Sequence, residues 1–176
     1  MENNIKREVW QRGPVENIPD LLQPVAHAIL QAREEVDEIL NGFPEEYLWQ
    51  KPAGVASVGF HLQHLKGVLD RLYTYARGES LNEEQNEWLL NEGKAVDGTG
   101  GVAKLLSQFH RQVDKSLQQL SGTAVHELAE KRFVGRAKIP STVSGLLFHA
   151  AEHTMRHVGQ LYVTAKIIRD RARKGL

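Results

Sequence analysis

Histidine is the residue type in this chain best placed to do chemistry. Five of its eight histidines fall in two groups, His61 with His64, and His149 with His153 and His157. A neutral imidazole carries one N–H and one lone pair, and that lone pair is a natural ligand for zinc, nickel, copper or iron. Positions four apart on a helix lie on one face, so 149, 153 and 157 form a ladder whose neighbouring rings can grip one cation. The chain has no cysteine. That excludes disulfide frameworks, cysteine-ligated zinc, iron–sulfur clusters and any thiol nucleophile of the chain's own. A metal site must here be built from histidines and carboxylates. His27, His110 and His126 stand alone and read as ordinary hydrogen-bonded residues.

Hydrophobic periodicity supplies the elements that would position these rings. Apolar residues recur at spacings of three and four in four long segments, with almost no strand signal. The first runs from about Pro19 to Asn41 and the second from a Ser57 cap to about Arg77. The third runs from Val102 to Gly122, and the fourth from a cap at Ser141 or Thr142 to about Arg169. A short polar helix is expected over Asn82 to Asn91, followed by a flexible Gly-rich connection at Asp97, Gly98, Gly100 and Gly101. Four such amphipathic segments predict an all-α four-helix bundle with long inter-helix connections, one of them a crossover. Residues 1–14 are expected to be a flexible arm and 15–176 a single bundle domain. The run from Lys131 to Lys138 contains Lys131, Arg132, Arg136 and Lys138. It reads as a solvated loop, with a rim that attracts an anionic substrate as its functional alternative.

Helix geometry also says which histidines face inward. At about 100° per residue, His157 lies roughly 40° from the apolar stripe of the last helix, His153 about 80° and His149 about 120°. Adjacent imidazoles beside an apolar core are unfavourable unless their polar atoms find partners, and a divalent cation provides one. The second helix supplies a third ligand. Its own stripe slightly favours His61 over His64, and spacing alone leaves both open.

Two other metal motifs fail on their own requirements. His149-Ala-Ala-Glu152-His153 matches the H-x-x-E-H pattern of inverzincin peptidases, which also demands a downstream carboxylate ligand. No Glu follows Glu152, and Asp170 sits in a basic tail. Di-iron bundles need Glu three residues before a ligating His, and no His here has one.

Two stretches resemble the DinB/YfiT-like superfamily of metal-dependent enzymes. One runs from Trp49 through Pro52, Gly54 and the Ser57 cap to His64-Leu65; the other is His153-Thr-Met-Arg-His157-Val-Gly-Gln160, similar to an H-x-x-x-H-x-x-Q signature. The resemblance implies metal ligands at His64, His153 and His157, with His61, His149 and Gln160 as supporting or pocket residues, and a bundle found as a homodimer. Where many members carry a second His before the last ligand, this chain has Arg156. The resemblance further implies a zinc or nickel enzyme that activates a thiol or water, as a thiol S-transferase or a hydrolase of a small electrophile. A low-molecular-weight thiol is then a possible cofactor, and it must come from solution. The contrasting expectation is a non-catalytic metal-binding stress protein or a helical interaction module.

Composition narrows the partners. Among 176 residues, 22 Lys and Arg balance 22 Asp and Glu, so no whole-protein field gathers nucleic acid or an anionic membrane. No apolar run reaches the roughly 18 to 20 residues of a membrane span, and the first residues are polar. The expected location is cytoplasmic and the expected partner a small molecule.

Overall fold

The computed structural model describes residues 6–95 and 101–175. Among these, five α-helices carry the fold: α1 (Gln23–Leu40), α2 (Val58–Ala76), α3 (Glu83–Asn91), α4 (Val102–Gly122) and α5 (Val143–Lys174). Local capping chemistry sets the starts. Ser57 accepts a hydrogen bond from the Phe60 backbone N–H, Asn82 closes a capping box with Gln85, and Thr142 accepts from Gly145 N–H. Each satisfies a backbone donor that a helix start leaves orphaned. The first predicted helix begins later than Pro19, because Asp20–Leu22 forms a tight 3-10 turn ahead of α1. The last runs on to Lys174, with Arg171, Arg173 and Lys174 in a final turn whose carbonyl dipoles favour cations.

The four long helices form a bundle in which consecutive members are not always neighbours. Helix α5 packs on α1 and α2, and α4 packs on the same two, so α1 lies diagonal to α2 and α4 diagonal to α5. Contacts between His61 and His157 and between His64 and His153 make α2 and α5 antiparallel. Arg33–Asp114 and His110–Asp37 do the same for α1 and α4. The α1–α2 connection must cross the bundle end, and it does so as a packed segment with Phe43, Leu48 and Pro52 buried. Leu62, Leu65 and Leu69 of α2, together with Leu147 and Leu161 of α5, are fully buried. Each contributes about 1.5–3 kcal/mol of hydrophobic stabilisation.

One expectation is overturned. The basic run is no loop: Lys131–Val134 (β1) pairs with Ile139–Thr142 (β2) as an antiparallel hairpin in the register Lys131↔Thr142 to Val134↔Ile139. Its strands sit at the surface with four side chains exposed, four partly buried and none fully buried, and they are too short to show a sustained apolar alternation. Main-chain pairing and the anchoring of Arg132 Nε to the Ala76 carbonyl at 2.7 Å hold the hairpin in place. Of the expected arm, residues 6–14 lie against α1. Val9 is buried, its N–H donates to Gln31, and Arg12 pairs with Glu34. Residues 1–5 of that arm, and Asp97, Gly98 and Gly100 of the expected connection, lie outside the described residues. No helix among the described residues is long and apolar enough to cross a membrane.

Helix α3 reaches α2 through a glycine. A Cβ on Gly67 would run into Glu92 Oε1 and lie 2.5 Å from Arg71 Nη1 and 2.9 Å from Trp88 Cδ1, so a larger residue there must displace the Arg71–Glu92 pair and the Trp88 ring. Gly67→Ala is expected to destabilise the protein by about 1–3 kcal/mol through overpacking. Gly159, also inside a helix, has no atom within 4 Å of its would-be Cβ, and Gly159→Ala is expected to be neutral or to stabilise by up to about 1 kcal/mol. Urea denaturation of both variants checks the contrast.

Candidate metal centre

The seam between α2 and α5 gathers four imidazoles. His64 and His153 present Nε2 to Nε2 at 3.0 Å, and His61 and His157 meet Nδ1 to Nδ1 at 3.2 Å. His64 and His157 have ring centroids 4.2 Å apart, and His153 and His157 4.7 Å. One nitrogen from each of His64, His153 and His157 lies within 4.8 Å of the others, so three half-buried rings from two helices converge on one point. Phe60 stacks on His64 at 5.3 Å with an interplanar angle of 12° and shields one face of that ring.

His64 is fixed from behind by a carboxylate that sequence spacing does not reveal. Glu92, which caps the end of α3, receives its Nδ1 at 2.7 Å and Arg71 Nη1 at 2.6 Å. Burial alone would raise the Glu92 carboxyl, but the hydrogen bonds of His64 and Arg71 outweigh it and hold the group below its ordinary value. An ionised carboxylate only accepts, so His64 Nδ1 donates to Glu92, and in the neutral form of the ring Nε2 carries the lone pair that faces His153. At His153 the proton has no comfortable place. Either Nε2 donates to His64 and Nδ1 becomes an orphaned acceptor, or Nε2 turns a second lone pair to the same point. In both cases Nδ1 is buried without a partner. No sequence signal ties Glu92 to His64, because the close packing at Gly67 brings them together.

The remaining histidines divide by depth. His61 is only 2% exposed, deeper than His64, as its stripe position predicts. It is nevertheless outside the three-nitrogen group and bonds His157, one of the pair donating and the other accepting. With Nδ1 of His157 so engaged, its Nε2 is the nitrogen left for a ligand. His149 is exposed, and its Nδ1 bonds Glu152, which Arg156 also holds at 2.6 Å. His149, Glu152 and His153 form a second, more exposed group of possible ligands that shares His153. Gln160 is exposed on the outer face of α5.

These surroundings keep the inner rings neutral. Burial, and then the neighbouring charge of His64, pushes His61 and His157 down to about 4 and lowers His153 as well. Neutral rings have free lone pairs, the state a metal ligand needs.

Residues 28–161 match the model of the DinB superfamily, and the chain belongs to that family. No curated protein matches the sequence.

The depressed values set a pH dependence for the metal-free protein. Unfolded imidazole titrates near 6.5, above the folded values of about 4 for His61 and His157. Between these limits the unfolded chain takes up protons that the folded one refuses. Stability present above about pH 6.5 is therefore lost as pH falls toward 4. In chelator, the ring resonances of His61 and His157 are expected to titrate near 4 by NMR, with the melting temperature falling over the same interval. Titration of both rings near 6.5 would contradict their neutral burial.

Proposed function

We propose that this DinB-superfamily chain holds one divalent transition metal, zinc or nickel, on His64, His153 and His157, and that it is a metal-dependent transferase or hydrolase acting on a small electrophile. The reading rests on one observation, the convergence of three imidazole nitrogens from α2 and α5 within 4.8 Å. Two nitrogens at about 2.0–2.1 Å from a tetrahedral zinc lie about 3.3 Å apart, and the His64–His153 separation of 3.0 Å is close to that. The orphaned nitrogen of His153 fits as well. A cation that takes both Nε2 lone pairs removes the frustrated contact between the rings.

A bound cation of this kind lowers the pKa of a coordinated thiol or water, and so supplies thiolate or hydroxide near neutral pH. With no cysteine in the chain, a thiol is borrowed from a low-molecular-weight molecule in solution. The chain's own groups do the positioning. Glu92, backed by Arg71, fixes the tautomer and orientation of His64, and His61 does the same for His157. Phe60 keeps water from one face of the His64 ring. Glu152 is engaged by His149 and Arg156 on the outer side of α5, so it is turned to a different task from that of the inner rings.

Protein purified without a histidine tag is expected to contain about one transition metal per chain, and the His153→Ala, His157→Ala double variant none. Wild-type protein that arrives empty and refuses zinc and nickel would overturn the proposal. In cobalt-substituted protein, a visible spectrum that shifts when a small thiol is added supports the transferase branch; one that never moves removes that branch.

The supporting carboxylate has its own consequence. Glu92→Gln is expected to weaken zinc affinity by about 10–100-fold, measured by competition with a chelating dye. An unchanged affinity would mean that the Glu92–His64 contact does not serve the metal.

A further inference from the structure

A second site lies at the opposite end of α2. Beneath the β-hairpin, the end of α2 and the start of α3 enclose a cavity of about 510 Å³, within the roughly 300–1,000 Å³ typical of small-molecule pockets. Strand alternation sorts the hairpin side chains. Arg132 and Val134 are partly buried, with Arg132 tied to α2, while Lys131 and Phe133 stand exposed on the other face and line the cavity. The turn between the strands adds Arg136 and Lys138.

Charge in this cavity is uncompensated. Lys131, Arg136 and Lys138 form no ion pair among the described residues, and the acid of the lining, Glu79, is held by Arg77 at 2.7 Å. In a chain whose charges balance overall, three free cations around one concavity are a local concentration of positive field. Two features show that this end is held in a defined shape. Lys138 has φ +50°, a left-handed conformation that a side chain adopts at a cost, and Arg132 locks the hairpin onto the end of α2. The cavity also offers apolar surface. Tyr75 and Leu81 contribute to it, and Phe133 stays 51% exposed.

We infer that this cavity is a binding site for a dianionic small molecule with a flat apolar body, the chemistry of an aryl or nucleoside monophosphate. Lys131, Arg136 and Lys138 take the dianion, and Phe133 and Tyr75 take the flat body. The site is distinct from the histidines. Tyr75 lies eleven residues beyond His64 on the same face of α2, about 16 Å along the helix, and the Arg71–Glu92 pair under α3 stands between them.

The test is calorimetric titration of phenyl phosphate into the full-length protein at low ionic strength in chelator. Saturable binding of one molecule per chain is expected, with inorganic phosphate at least about tenfold weaker, because it lacks the flat body. The Arg136→Glu, Lys138→Glu double variant should lose at least about tenfold in affinity. The milder Lys131→Gln, Arg136→Gln, Lys138→Gln variant should weaken binding in the same direction. The His153→Ala, His157→Ala protein should bind as wild type does, which separates this site from the metal reading. Absence of saturable binding in wild type, equal affinity for inorganic phosphate, or an affinity unmoved by either set of substitutions would overturn the proposal.

Discussion

The contact on which the site depends is the meeting of two imidazole nitrogens, His64 Nε2 and His153 Nε2, across the α2–α5 seam at 3.0 Å. In its neutral form each ring has one proton to place, and Glu92 claims the one on His64 Nδ1. The seam is half-buried, so an unmatched lone pair has little water to turn to. A frustrated contact of this kind survives only where the surrounding fold over-determines it. Here the fully buried leucines of both helices, with Phe60 stacked from the side, hold the rings together. What is unfavourable as bare protein becomes favourable around a cation, and that links the packing of the bundle to the chemistry of the site.

The order of helices in the bundle serves this contact. With α1 diagonal to α2, the second helix is free to pack on the last, and the antiparallel arrangement matches His61 with His157 and His64 with His153, one turn apart on each. Helix α3 then returns along α2 and delivers Glu92 behind His64. Gly67 favours this return, since a side chain there would crowd Glu92, Arg71 and Trp88. His64, the carboxylate that supports it and the Arg71 cation balancing that carboxylate thus come from two neighbouring helices and one tight approach.

Much of this was legible in the sequence, for reasons that also explain the remainder. The three–four spacing of Leu62, Leu65 and Leu69, and of Leu146, Leu147 and Ala150, declared the buried faces, and caps such as Ser57 and Thr142 declared the helix starts. The same spacing ranked the ladder correctly by depth, with His149 at the surface and His157 further in. His61 shows where such reasoning stops. A stripe argument identifies the most buried histidine, but the three-nitrogen group forms at the edge of the stripe, where two helices meet, and His64 occupies that edge. Glu92 was invisible because tertiary packing, not helical period, brings it to His64. The hairpin was hidden because its strands are four residues long and none of their side chains is fully buried, so backbone pairing forms it with too short an apolar rhythm to read.

Anomalous diffraction at the zinc edge from crystals of the zinc-loaded protein tests the three-histidine site directly. One peak is expected in the α2–α5 seam, about 2.0–2.1 Å from nitrogens of His64, His153 and His157, with His64 Nδ1 still bonded to Glu92. A peak held instead by His149, Glu152 and His153, or no ordered peak at full zinc loading, would contradict it.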